Sequence, residues 1–113
     1  MGRNDFKAVV QEVMDSLPAE FRKRIHNVAV LVEDLPPQPP EPGKLLLGIF
    51  HGVPRTQKST FGLPLGPDYV VLYQKNIEAV CSSEEEIRKQ IRQTVIHEFG
   101  HYFGMDEEQL KDV

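Results

Sequence analysis

Apolar positions near the start of the chain, Phe6, Val9, Val10, Val13, Met14 and Leu17, recur at spacings of three and four. That period gathers them on one stripe of an α-helix, with Asp5 available to cap it. Pro18 interrupts the pattern, and Phe21 and Ile25 continue it as a second, short helical piece. The periodicity then changes. Asn27 to Glu33 is a nearly continuous apolar run of the kind a strand buried on both faces shows, so it is expected to be a central strand. Pro36 to Gly43, with five prolines, can be neither helix nor interior strand and reads as a stiff polyproline-like connection. Its PxxP spacing matches that of SH3 ligands, but a rigid surface loop is the simpler reading. Leu45 to Phe50 and Tyr69 to Tyr73 read as further strands, with Gly62, Pro64, Gly66 and Pro67 punctuating the connection and Ser59 to Phe61 a short extra strand. Asn76 to Val80 looks like a single helical turn.

The strongest local signals begin at Ser82. Ser83-x-x-Glu86 forms a capping box, Glu84, Glu85 and Glu86 load the first turn with negative charge, and Ile87, Ile91, Thr94, Val95 and Glu98 follow helical spacing. This long helix is expected to run to about Phe103, where Gly104 can take the left-handed conformation that ends a helix.

Composition bounds what these elements can build. At 113 residues, 40% hydrophobic and 27% charged, the chain fits one globular domain over residues 1–113. Seventeen acidic and thirteen basic residues give a net charge of -4, with no concentrated basic face beyond Arg22-Lys23-Arg24, which argues against nucleic acid as a partner. A single cysteine, Cys81, excludes an internal disulfide, and neither a membrane-length apolar run nor a signal-like N-terminus is present. Phe6 stands where a myristoylation signal wants Ser or Thr. The expected location is the cytoplasm, with no membrane partner.

The chemistry concentrates in His97-Glu98-Phe99-Gly100-His101. Two histidines four apart project from one helix face a turn apart, close enough to bind the same cation. Glu98 lies about 100° around the helix from His97, beside the metal without being its ligand. Zinc lowers the pKa of a bound water to about 7, and such a carboxylate takes its proton as general base while the water attacks a carbonyl. HExxH alone is a moderate signal, raised here by its amphipathic helix and by Gly104, which extends it to HExxHxxG.

A catalytic zinc site commonly takes three protein ligands, and the sequence offers several candidates for the third. Only twelve residues follow His101 in the sequence, too few for a glutamate on a second, later helix. Metzincin-type sites instead place the third ligand six residues after the second histidine, here Glu107. Asp106-Glu107-Glu108-Gln109 also reads as an N-cap and acidic first turn of a terminal helix, so Asp106 and Glu108 stay open beside Glu107.

With these residues in view, the chain resembles the bacterial minimal zincin-like metallopeptidase family, compact proteins built around HExxHxxG near the C-terminus. Gly48-Ile49-Phe50-His51-Gly52-Val53-Pro54, Val71-Leu72-Tyr73 and the helix from Ile91 to Glu98 also look like segments of that family. The resemblance implies an α+β fold, a small mixed β-sheet packed against helices, with the active-site helix under a cleft. An edge strand beside that cleft would accept extended peptide through main-chain hydrogen bonds; by this analogy it is the segment around Lys58 to Phe61. The family often has aspartate where Glu107 stands, and no metzincin Met-turn is present, Met105 being a packing residue.

The sequence therefore points to a zinc-dependent peptidase, with His97, His101 and Glu107 on Zn2+, Glu98 as general base, and a peptide or protein substrate. The alternative is a non-catalytic, metal-stabilised module that binds a peptide or protein. His26 and His51 read as surface or hydrogen-bonded histidines, Cys81 as a small packed side chain without a cysteine-protease signature, and Tyr73 and Tyr102 as core residues before oxyanion donors.

Overall fold

A computed structural model describes residues 1–25, 28–38, 42–51 and 68–102, the side chains of His101 and Tyr102 excepted. In chain order the elements are α1 (Arg3–Ser16), α2 (Ala19–Ile25), β1 (Ala29–Glu33), β2 (Gly48–His51), β3 (Tyr69–Tyr73), α3 (Gln74–Ala79) and α4 (Glu84–Tyr102). The expected short strand near Ser59 to Phe61, the edge segment Lys58 to Phe61, and the chain from Phe103 onward lie outside the described residues.

The stripe on α1 buries Phe6, Val9, Val10 and Val13, and Leu17 follows it into the core. Gly2, not Asp5, occupies the N-cap of α1, and Asp5 sits within the first turn, where its negative charge still faces the helix N-terminus. Pro18 starts the second helix, its carbonyl accepting from the amides of Phe21 and Arg22, and α2 buries Phe21 and Ile25.

The sheet has the order β1-β3-β2, with β1 parallel and β2 antiparallel to β3, so it is small and mixed. This arrangement corrects the expectation for Asn27 to Glu33. Among the described residues β1 is an edge strand; Val32 is buried, but Leu31 is 45% exposed and Ala29 and Glu33 face solvent. The strand buried on both faces is β3, where Val70, Val71, Leu72 and Tyr73 are all covered. Both runs are apolar, and their relative position is decided by which one finds partners on two sides.

Register separates the two sheet faces. Opposed residues share a face and successive residues alternate, so Val32, Val70, Leu72, Gly48 and Phe50 look one way, while Leu31, Tyr69, Val71, Tyr73, Ile49 and His51 look the other. The first face meets the helices: Val32, Val70 and Leu72 join Phe6, Leu17, Ile77, Ile91, Val95 and Phe99 in one core cluster. The result is a helix layer on a mixed sheet, an α+β fold.

Polar contacts tie the layers at their ends. Arg3 donates to the carbonyl of Val32 at 2.7 Å and to Gln74 Oε1 at 2.8 Å, and it pairs with Asp34, which pins the start of α1 to the end of β1 and the start of α3. Asn76 donates to the carbonyl of Leu46 at 2.8 Å and so fixes the approach to β2. Arg88 of α4 pairs with Glu12 of α1 and, at 3.1 Å, with Glu84 one turn away. No described helix is long and apolar enough to cross a membrane.

Candidate metal centre

The helix that carries the motif is set at its start by the expected capping box. The amide of Glu86 donates to Ser83 Oγ at 3.2 Å, and the Glu86 carboxylate reaches back to the amide of Ser82. From Glu84 the helix is continuous to Tyr102, and Ile87, Ile91, Val95, Ile96 and Phe99 bury its inner side. This continuity puts the backbone positions of His97 and His101 one turn apart on one face. His97 is exposed, Glu98 is half-buried and Phe99 is fully buried. The burial pattern thus turns the packed side of α4 to the core and presents His97 outward.

The fit to a metal rests on donor chemistry. Imidazole nitrogens at positions i and i+4 of an unbroken helix suit zinc, and the adjoining carboxylate lies off that pair as a non-ligand base must. Among the described residues no three metal-ligating side chains converge. Of the residues expected from the sequence, only His97 and Glu98 have described side chains; the His101 side chain and all of Asp106, Glu107 and Glu108 fall outside them.

Glu98 is tied to the sheet. Its Oε2 accepts the backbone N–H of Phe50 at 3.1 Å, linking the motif to strand β2. Two further contacts hold β2 against α4 at that height. The Phe50 ring packs edge-on against Phe99, centroids 5.6 Å apart, and Phe99 packs in the same manner on Phe21 at 6.1 Å. Gly48 lies so close to α4 that a Cβ there would stand 2.8 Å from Thr94 Cγ2 and 3.0 Å from the carbonyl oxygen of Val71. The approach of backbone to helix is therefore possible only without a side chain at this position.

The residues set aside in the sequence have structural explanations. His51 lies on the sheet face away from α4, stacked on Tyr69 with centroids 4.9 Å apart. Tyr73 is buried on that same far face, and its phenol is pushed up by burial first and by the charge of Glu33 second, so it stays neutral and packed away from Glu98. Burial, and then the neighbouring charge of Glu86, push the Cys81 thiol up as well; this suppresses the thiolate a nucleophile needs. His26 and the Tyr102 side chain lie outside the described residues.

Sequence reasoning did not single out the Phe50 amide or the role of Gly48. A main-chain donor has no residue-type signature, whereas a glycine inside a strand is a recognisable sign of close backbone approach.

In overall fold the chain is similar to a solved conserved hypothetical protein from Thermus thermophilus, at 19% identity and a TM-score of 0.62, covering 91% of this chain and 94% of that one. No curated protein matches the sequence significantly. Residues 25–113 match the family of zincin-like metallopeptidases, a span that runs from the last residue of α2 through the sheet and the whole motif helix. The helix-borne HExxH pair, the carboxylate beside it and the mixed sheet it abuts thus agree with the match, and the chain belongs to the zincin-like metallopeptidase family.

Proposed function

We propose that the protein hydrolyses peptide bonds with a zinc ion held by His97, His101 and Glu107, and with Glu98 as general base. The observation that carries the proposal is the pairing of an exposed His97 with a half-buried, oriented Glu98 on one continuous helix of a zincin-like chain. Zinc, when bound, supplies Lewis acidity: it polarises the scissile carbonyl and makes a water acidic enough to attack at neutral pH.

The chain's own residues do the rest. Glu98 accepts the proton of the attacking water and delivers it to the leaving amine, a shuttle that needs the carboxylate near the metal but not on it. Packing holds it there: Phe99 is fully buried between Phe21 and Phe50, so the helix segment bearing Glu98 is anchored from the core side. Glu98 also reaches the sheet, its Oε2 accepting the amide of Phe50 in β2, and among the described residues β2 ends the sheet on the side away from β1.

The test compares wild type with Glu98→Gln on a peptide library. Wild type should cleave in a chelator-sensitive way. The variant should bind the same amount of zinc and lose roughly 10²- to 10⁴-fold in rate, the usual contribution of a positioned acid-base group. Undiminished cleavage by Glu98→Gln would remove the general-base role. Zinc uptake without cleavage by wild type would instead favour a metal-stabilised binding module.

A further inference from the structure

Two contacts seat β2 on α4, and they run in step. Gly48 meets Thr94, where an added Cβ would stand 2.8 Å from Cγ2, and further along the strand the Phe50 amide meets Glu98 Oε2 at 3.1 Å. Gly48 and Phe50 share one face of the strand, and Thr94 and Glu98 lie one turn apart on one face of the helix. Two strand residues advance about 6.7 Å and four helix residues about 6 Å, so the first contact sets the second. The ladder does not fix the Phe50 amide. Tyr73 donates to the carbonyl of Leu47 at 2.9 Å, and bonded positions alternate along an antiparallel pair, which puts Ile49 and His51 on the bonded row and leaves Gly48 and Phe50 off it. The place of that amide is inherited from the seating of the strand on the helix.

We propose that Gly48 is a positioning residue for the general base: by letting β2 lie directly on α4, it brings the Phe50 amide onto the Glu98 carboxylate and so fixes the orientation from which that carboxylate takes the proton of water. The inference rests on the peptidase reading above and extends its account of Glu98. A side chain at position 48 finds no room. Thr94 is β-branched and stiff, and its hydroxyl accepts from Gln90 at 3.3 Å, so its methyl does not turn away freely. On the other side the Val71 carbonyl oxygen, 3.0 Å from the added Cβ, belongs to β3. Carbon atoms rest at about 3.5–4.0 Å from one another, so a Cβ forces β2 back from α4 by roughly half an ångström or more. The bond from Phe50, at 3.1 Å, is already near the long end of the N–H···O range of about 2.7–3.2 Å, and a retreat of that size removes it. Glu98 then keeps its place on the helix but samples its side-chain rotamers, and the geometry of proton transfer is lost.

Gly48→Ala, the double variant Gly48→Ala/Thr94→Ser and a remote control, Val9→Ala, separate positioning from a general loss of stability. Val9 lines a cavity with Ile87 near the start of α4, away from Glu98. Amide exchange followed by NMR, with the buried Val95 of α4 as internal reference, should show the Phe50 amide exchanging roughly tenfold or more faster in Gly48→Ala than in wild type. On peptides that wild type cleaves, kcat should fall roughly tenfold or more in the same variant, with KM and zinc content unchanged. Thr94→Ser makes room for the new Cβ, so the double variant should recover part of both losses, and Val9→Ala should show neither. Phe50 exchange that is no faster in Gly48→Ala, a rate loss carried by KM or accompanied by loss of zinc, a double variant that regains stability but not rate, or a control that matches Gly48→Ala would each overturn the positioning role. Wild type that takes up no zinc and cleaves nothing would overturn the peptidase reading itself and this role with it, and that failure is told apart because it appears before any variant is made.

Discussion

Gly48→Ala is the smallest change that tests how β2 is seated on α4. An added Cβ would lie 2.8 Å from Thr94 Cγ2, 3.0 Å from the carbonyl oxygen of Val71 and 3.2 Å from Leu72 Cδ2. The Leu72 methyl can yield by rotation, but the Val71 carbonyl belongs to the central strand and cannot. Overpacking of this kind costs about 1–3 kcal/mol. Against it stands the reduced backbone freedom of alanine in the unfolded chain, which returns about 0.4–1 kcal/mol. The mid-range values leave a net loss of roughly 1.3 kcal/mol, or about 5 °C in Tm for a domain of this size. Thermal and urea denaturation of the single variant measure the loss. Thr94→Ser in the same background removes the Cγ2 methyl but keeps the hydroxyl that accepts from Gln90 at 3.3 Å, so the double variant should recover part of the stability. A neutral or stabilising Gly48→Ala, or a double variant with no recovery, would refute the seating of β2 described here.

Three other outcomes follow from the same structure. Phe99→Ala empties a fully buried site between two aromatic rings and should cost about 3–5 kcal/mol in denaturant unfolding, with Phe99→Leu milder. Tyr73 has its phenol pushed up in the fold, so the folded state binds its proton more tightly than the unfolded state does; its stabilising contribution is whole below the ordinary value of about 10 and is lost as pH rises beyond it. Tyr73→Phe should flatten the alkaline loss of stability above that point in a pH series of urea melts, and an unchanged slope would count against the assignment. Cys81 should react with a thiol reagent at neutral pH more slowly than an unhindered cysteine, and a rate equal to that of a model thiol would contradict its burial and raised pKa.

The fold was legible in the sequence wherever a signal was local. The α1 stripe, the break at Pro18 and the capping box at Ser83 all depend on neighbours a few residues apart, and each appears in the structure with only small shifts of boundary. The turn expected at Asn76 to Val80 is α3, starting two residues earlier because β3 passes directly into it at Gln74. The strand order was not legible. Asn27 to Glu33 and Tyr69 to Tyr73 are both apolar runs, and composition does not reveal which will be flanked on both sides. The alternating exposure of β1 arises because this strand, at the sheet's edge among the described residues, turns Val32 and the half-buried Val30 to the core and its other face away from the helices.

The candidate site divides along the same line. The spacing of His97, Glu98 and His101 is a local property of one helix, so the arrangement of the motif could be read from four residues' separation. The hydrogen bond from Phe50 to Glu98 joins residues forty-eight apart through a main-chain group, and only the pairing of β2 with β3 and the packing of Gly48 on Thr94 bring them together. Glu107, the expected third ligand, belongs to the chain after Tyr102 and rests on the motif's spacing alone.

The central claim is that α4 carries a zinc site through His97 and His101. Elemental analysis of the protein purified without added zinc tests it most directly when wild type is set beside His97→Ala and His101→Ala, each confirmed folded by circular dichroism. The account predicts a single tightly held zinc ion per wild-type chain and its loss from both variants. Wild type devoid of zinc even after addition and dialysis, or variants that retain it in full, would contradict the claim.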